Sequence, residues 1–326
     1  TYTAVRSIPA AWRLSLTGTP VENSVQDLWA QLDFINPGML GSLKRFRSRY
    51  GTAIEERRDD AALDTLRRII SPFILRRKKE DVARDLPPKE EIVLYCDLEA
   101  PQRQVYEDIK EAYRLKVDEA VKKDGINRSA LTILEALLRL RQACLLPGVI
   151  NPAWDQAGSA KMDTLLGLIE DLASEGHKAL VFSQFVEVLH RLRDELLARH
   201  VDCCYLDGQS LDRADQIARF QADPLARVFL LSLKAGGVGL DLTAADDVIL
   251  FDPWWNPAVE AQAIDRAHRI GQDKPVIVYR LIARDTVEEK IMRLQAGKRD
   301  LAATLVSGDD SLVKSLDADE LRDLFG

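Results

Sequence analysis

Residues 179–205 read ALVFSQFVEVLHRLRDELLARHVDCCY, and this stretch decides the fold. Ala179 to Phe182 are four apolar residues in a row, the signature of a strand buried on both faces. Residues 186–199 then repeat apolar positions at helical spacing, and residues 201–205 return to a strand pattern. Strand, helix and strand in so short a span make the unit from which parallel sheets are built.

The same alternation continues outward. Helix 161–175 precedes the first strand. Helix 212–222 leads to strand Val228-Phe229-Leu230-Leu231. A glycine-rich loop then precedes strand Val248-Ile249-Leu250-Phe251, helix 258–269 and strand 276–281. Short apolar strands separated by helices predict an α/β fold with a parallel sheet covered by helices on both faces. Upstream the texture differs. Residues 11–16 are strand-like and end in turn chemistry at Thr17-Gly18-Thr19-Pro20. Residues 24–75 are mostly helical, with Val25, Leu28, Trp29, Leu32 and Ile35 on one face, then Leu63, Leu66, Ile69 and Ile70 on another. Residues 76–91 read as a linker stiffened by Pro87 and Pro88. A strand over 92–96 and a helical stretch over 100–146 follow. The tail, 285–326, is amphipathic and helical in pattern.

The 326 residues are enough for roughly two domains of about 150 residues each. No apolar run approaches the roughly 18 residues that a membrane span needs, and no basic-then-apolar leader opens the chain. The four cysteines (96, 144, 203, 204) and four histidines (177, 190, 200, 268) show no zinc spacing, and free thiols suit a reducing compartment. The formal net charge of −7 does not suggest a nucleic-acid binder, but binding works through local stripes. Basic clusters lie at Lys44–Arg49, at Arg76–Lys79 and at Arg139 with Arg141. Each is read either as a binding patch or as a solvated helix face.

Three segments carry chemistry. In Asp265-Arg266-Ala267-His268-Arg269-Ile270-Gly271-Gln272, the two arginines are three apart near a predicted helix end, which places both guanidiniums on one face. Such a pair offers planar, permanently charged donors to a triphosphate; the alternative is a surface helix pairing with Asp265 or Glu260. In Ser232–Thr243, Gly236, Gly237 and Gly239 let backbone approach a phosphate, and Asp241 suits a ribose hydroxyl; the alternative is tight packing alone. In Asp252-Pro253-Trp254-Trp255-Asn256-Pro257, the tryptophans form a contact surface for nucleic acid or a partner lobe, or Trp254 caps the core.

Together with Leu16-Thr17-Gly18-Thr19-Pro20, Glu22-Asn23, Phe73–Arg77, Ser183-Gln184-Phe185 and Tyr205-Leu206-Asp207-Gly208, these strings stand in an order that resembles Swi/Snf-type ATPases. These are double-stranded-DNA translocases related to helicases. The resemblance covers essentially the whole chain and leans toward a prokaryotic member. It implies a RecA-like sheet with helical insertions and a helical C-terminal tail. It implies that residues 1–75 are the remainder of ATPase lobe one with a helical protrusion. Residues 76–95 would be an inter-lobe linker and 96–326 lobe two, with an insertion over 97–150, a core over 160–284 and a brace over 285–326. Arg266 and Arg269 would be arginine fingers, with Gly237, Gly239, Asp241 and Gln262 at the nucleotide. Thr17, Thr19, Ser183, Gln184, Ser232, Lys234, Ala235, Thr243 and Trp255 would lie along the DNA.

ATP and Mg²⁺ would be bound mainly by lobe one. No G-x-x-x-x-G-K-[ST] occurs in the 326 residues, and Asp118-Glu119, Asp194-Glu195 and Asp319-Glu320 all fall in helical patterns. The expectation is that the chain begins after those motifs and hydrolyses no ATP alone. Partners would be double-stranded DNA and a DNA-bound protein such as RNA polymerase, with the chain a monomer. The location would be the nucleoid in a prokaryote or the nucleus in a eukaryote. Two rival readings stay open: a strand-separating helicase and a non-catalytic docking scaffold.

Overall fold

The computed structural model describes residues 2–16, 25–55, 59–75, 77, 79–83, 85–125, 128–236, 240–254, 256–293 and 324. They divide into two compact units, Thr1–Val82 with Gly297–Leu316, and Ala83–Ala296 with Asp317–Gly326.

The described part of the first unit is helical. Its longer helices are α1 (Val25–Ile35) and α2 (Asp60–Ile70). Leu28, Trp29 and Leu32 of α1 pack with Leu63 and Leu66 of α2 and with Phe46, Tyr50 and Ile54. Asp59 caps α2 by accepting from the Ala62 N–H at 3.0 Å, which satisfies one of the helix's orphan donors. Residues 11–16 form no strand, contrary to the sequence expectation. A strand needs a neighbour to take its backbone hydrogen bonds, and among the described residues none is paired with this segment.

The second unit holds one sheet. Its strands are β1 (Lys89–Cys96), β2 (Ala179–Ser183), β3 (Cys203–Leu206), β4 (Val228–Ser232), β5 (Asp247–Leu250) and β6 (Val276–Ala283). All pairings are parallel, in the order β1-β6-β5-β2-β4-β3. Helices α3 (Ala100–Asp124) and α4 (Ala130–Leu145) follow β1, and α5 (Ala160–Glu175) precedes β2. Helices α6 (Val186–Ala198), α7 (Arg213–Ala222) and α8 (Pro257–Ile264) connect later strands. The single long helical pattern over 100–146 is thus two helices, broken at Gly125 with φ +75°, a conformation that glycine adopts without steric cost.

Strand residues alternate between two cores because successive side chains point to opposite faces. Leu180, Phe182, Phe229, Leu231, Val248 and Leu250 meet Phe220 of α7 and Ala263 and Ile264 of α8. Val181, Val228, Leu230 and Ile249 meet Leu165 and Ile169 of α5 and Leu189 and Leu192 of α6. Helices therefore cover both faces, as the unbroken apolar strands require. The sheet is the RecA-like α/β fold expected from the sequence. In the predicted tail, residues 287–293 are helical and residues 294–323 lie outside the described residues.

Candidate functional site

Strands β2 and β5 lie side by side, yet the chain leaves them in opposite directions, toward β3 and toward β6. Ligands of open α/β sheets bind beyond the carboxyl ends of strands at such a switch. Here Asp252, two residues past β5, is the hub. Its carboxylate accepts from the Ser183 hydroxyl, from the Gln184 N–H at 3.2 Å and from Arg141 Nη2 at 3.1 Å. Arg141 also donates to the Pro253 carbonyl and stacks over the Phe185 ring. Both side chains of the pair are sealed from water, at 1% and 0% exposure. Burial pushes the Asp252 carboxyl up, while the Arg141 guanidinium and the Ser183 hydroxyl pull it back down. Helix α4 thus holds the loops after β2 and β5 in a fixed relation.

The adjoining polar groups are equally tied. The Trp254 N–H donates to Glu260 at 2.7 Å, and Glu260 also receives Arg280, which reaches Glu91 at 3.3 Å. Past β3, Asp207 accepts from the Gln209 N–H at 2.8 Å and from the hydroxyls of Tyr205 and Ser210. Past β4, the Ala235 N–H donates to the Ser232 hydroxyl at 3.2 Å and the Ala235 carbonyl accepts from Arg213. Ser183, Ser232 and Ala235, expected along the DNA, are buried, and both serine hydroxyls are occupied within the chain. Gln184 differs: it is half-buried, and its Nε2 has no hydrogen-bond partner. Lys234 lies in the short helix Leu233–Gly236.

The arginine pair sits elsewhere. Helix α8 ends at Ile264, not at 269, so the helical placement of Arg266 and Arg269 is corrected. Local turns follow, with the N–H groups of Arg266 and Ala267 donating to the carbonyls of Ala263 and Ile264 at 3.1 Å each, and tertiary hydrogen bonds anchor them. The Arg266 carbonyl accepts from the Leu242 N–H at 3.1 Å, and the Ala267 carbonyl accepts from the Gln272 side chain at 3.2 Å. Gln272 also donates to the carbonyls of Thr243 and Ala245, which ties the turn to the segment before β5. His268 Nε2 lies 2.8 Å from the Pro87 carbonyl.

The two arginines remain neighbours. Arg266 is half-buried, and burial together with the nearby Arg269 charge draws its pKa down. Its Nε has no hydrogen-bond partner. Arg269 donates to the Leu240 carbonyl at 3.1 Å and lies 3.9 Å from Asp241. The structure thus unites Arg266, Arg269, Asp241 and Thr243, and it places Ser183 and Gln184 on a different loop set. Gln262 is in α8 and half-buried. Thr17, Thr19, Gly237, Gly239 and Trp255 lie outside the described residues. Two adjacent guanidiniums, with the Arg269 side chain 39% exposed, fit a polyphosphate. The carboxylate beside them, Asp241, already faces Arg269, so magnesium would need ligands from elsewhere.

Sequence reasoning gave Asp252 and Arg280 no buried role, named Glu260 only as a possible partner of the arginine pair, and read the cluster of Arg139 and Arg141 as either a binding patch or a solvated helix face. Arg141 follows Leu137 by four residues and therefore shares the buried face of α4. That spacing was the available signal.

Residues 1–149 match the SNF2-related domain, and residues 160–271 match the helicase conserved C-terminal domain. The Sulfolobus solfataricus SWI2/SNF2 ATPase core in complex with dsDNA is 38% identical, with a TM-score of 0.61, over 99% of this chain and 68% of that one. The C-terminal domain of the same ATPase is 34% identical, with a TM-score of 0.57, over 72% of this chain and 97% of that one.

The chain belongs to the SWI2/SNF2 ATPase family.

Curated relatives of this SWI2/SNF2 chain include an uncharacterized ATP-dependent helicase of Mycoplasma pneumoniae, 37% identical over 99% of the chain. The human TATA-binding protein-associated factor 172 is 36% identical over 99% of the chain. The chain spans 30% of the length of the first and 21% of the second.

Proposed function

We propose that this chain supplies the second lobe of an ATP-driven motor that moves along double-stranded DNA. Residues 96–326 act as that lobe, residues 76–95 as the linker, and residues 1–75 belong with the first lobe. Arg266 and Arg269 reach a triphosphate held on the first lobe and stabilise the charge that develops on the transferring phosphoryl group. Gly237, Gly239, Asp241 and Gln262 border the nucleotide. Thr17, Thr19, Ser183, Gln184, Ser232, Lys234, Ala235, Thr243 and Trp255 track the DNA backbone through contacts that carry no base information. Where side chains in that set are buried, the contact falls to backbone.

One observation carries the reading. A half-buried guanidinium with an unpartnered Nε stands beside a second guanidinium in a chain of this family. Two like charges held together cost energy; Asp265 and Asp241 offset it only in part, since Arg266 stays drawn down, and a polyphosphate oxygen would supply the rest. The 326 residues contain no phosphate-cradling G-x-x-x-x-G-K-[ST], so the chain alone is expected to show no DNA-stimulated ATPase. ATP and Mg²⁺ are held mainly by the first lobe.

The test joins the chain to a first lobe carrying that motif and measures ATP turnover with and without duplex DNA. Arg266→Ala should cut turnover by roughly 10³–10⁵, about 4–7 kcal/mol of barrier. Turnover that survives this change overturns the finger assignment. Triplex displacement without release of a labelled strand separates translocation from unwinding. Because one relative is named for association with TATA-binding protein, a DNA-bound protein is the proposed object of the motion.

A further inference from the structure

The amino-terminal edge of the sheet, opposite the Asp252 hub, holds a second group of polar side chains with no part in the motor reading. Asp247 opens β5, and its backbone register partner on β2 is Ala179. Asp246 precedes it, and His177 lies two residues before β2. Gly176, with φ +88°, ends α5, and the following His177 N–H donates back to the Leu172 carbonyl at 2.9 Å. This helix-ending turn fixes where the imidazole starts.

We propose that His177 Nδ1, Asp246 Oδ2 and Asp247 Oδ2 form a binding site for one divalent transition-metal ion, with Zn²⁺ the best match. The three ligand atoms all lie within 4.8 Å of one another. Nδ1 is 2.9 Å from the Asp246 oxygen and 3.4 Å from the Asp247 oxygen. A tetrahedral ion with bonds of about 2.0–2.1 Å sets its ligands roughly 3.3–3.4 Å apart, so both distances from the imidazole are close to the required spacing before any metal enters.

Independent of that spacing, Asp247 is 1% exposed and its Oδ2 has no hydrogen-bond partner. A sealed carboxylate oxygen without a donor is uncommon in folded proteins, and a cation bound there would satisfy it. Asp246 is oriented from behind: its Oδ1 accepts from the Lys178 N–H at 2.9 Å, which leaves Oδ2 aimed at the cluster. Such outer contacts hold metal ligands in place. His177 is 40% exposed on its side chain, so the site is open to ion entry and to a water as fourth ligand.

A competitor is also present. Lys274 Nζ lies 3.0 Å from the Asp246 oxygen. Its side chain is 58% exposed, so it can leave for water as the ion arrives. It hydrogen-bonds Asp246 and leaves Asp247 Oδ2 without a donor. The imidazole nitrogen selects against Mg²⁺, which prefers six oxygens in a near-ideal octahedron.

The experiment is calorimetric titration of the chelator-stripped chain with ZnCl₂ at pH 7.5, with MgCl₂ in parallel. One Zn²⁺ per chain is expected, with no Mg²⁺ heat. His177→Ala and Asp247→Asn should each weaken uptake by about tenfold or more, since even outer contacts of metal sites are worth that much. Lys274→Met should tighten it. His177 is half-exposed, so its alanine variant keeps the fold, which circular dichroism verifies. Three results overturn the site: no stoichiometric Zn²⁺ uptake, uptake that both ligand substitutions leave intact, or Mg²⁺ binding of equal strength. None of these bears on the arginine pair.

Discussion

Arg141→Met tests whether the Asp252 hub is held by charge. The substitution keeps most of the side-chain volume in α4 and removes the cation. Asp252 then keeps the Ser183 hydroxyl and the Gln184 N–H but loses its charged partner, inside a region sealed at 0% side-chain exposure. The Pro253 carbonyl loses its donor as well. Removing one member of a buried pair leaves an uncompensated charge and costs about 3–5 kcal/mol. Domains of this kind hold about 5–15 kcal/mol in all. With a urea slope of about 2–3 kcal/mol per molar, the unfolding midpoint of the sheet-bearing unit should fall by roughly 1–2 M.

The pH dependence has a definite sign. Asp252 is already pushed above its ordinary 3.8 by burial, and losing Arg141 pushes it further. A group whose folded pKa is raised stabilises fully below its unfolded value and loses that contribution as pH rises through the folded value. The variant should therefore be least impaired near pH 4 and most impaired at pH 8. Adding Asp252→Asn should recover part of the loss at pH 8, because the stranded charge is gone. The assay is urea denaturation followed by circular dichroism at both pH values. A midpoint shift corresponding to less than about 1 kcal/mol, or one equal at both pH values, refutes the reasoning.

Gln272→Ala takes the side-chain donor from the carbonyls of Thr243 and Ala245, while the Ala267 carbonyl keeps the Arg269 N–H; a loss of about 2–3 kcal/mol is expected by the same denaturation measurement. Arg266→Ala in the same chain should leave stability within about 0.5 kcal/mol or raise it, because its Nε is unpartnered and its charge faces Arg269; a loss above about 2 kcal/mol would assign it a structural role. Asp207 is raised by burial but lowered further by the Gln209 N–H and the hydroxyls of Tyr205 and Ser210, so its net pKa falls below 3.8. Its contribution is present above the unfolded value and lost as pH falls through the folded one. Asp207→Asn should therefore cost about 1–3 kcal/mol at pH 7 and almost nothing near pH 2; an equal cost at both pH values counts against it.

The fold was legible because its decisive signal is local. Ala179–Phe182, Val228–Leu231 and Val248–Phe251 are apolar on both faces, and only a sheet with helices on both sides buries both. The strand bounds shifted by no more than three residues. The family motifs were legible for the same reason, as contiguous strings. Two things were not. The strand pattern at 11–16 found no partner, and pairing is not a property of a single segment. Helix α8 gives way after Ile264 to tighter turns, in which the N–H groups of Arg266 and Ala267 donate three residues back, and Leu242 and Gln272 anchor those turns through the carbonyls of Arg266 and Ala267; neither anchor is visible from spacing along the helix.

Amino-acid order alone determined the parallel α/β sheet and its helical wrapping, since both rest on neighbours a few residues apart. Tertiary structure alone decided which charges are buried and with whom: Arg141 meets Asp252 across 111 positions, and His177 meets Asp246 across 69. A side chain's charge state and partner depend on what the fold brings through space and on the water it removes, and neither is encoded at a fixed distance along the chain.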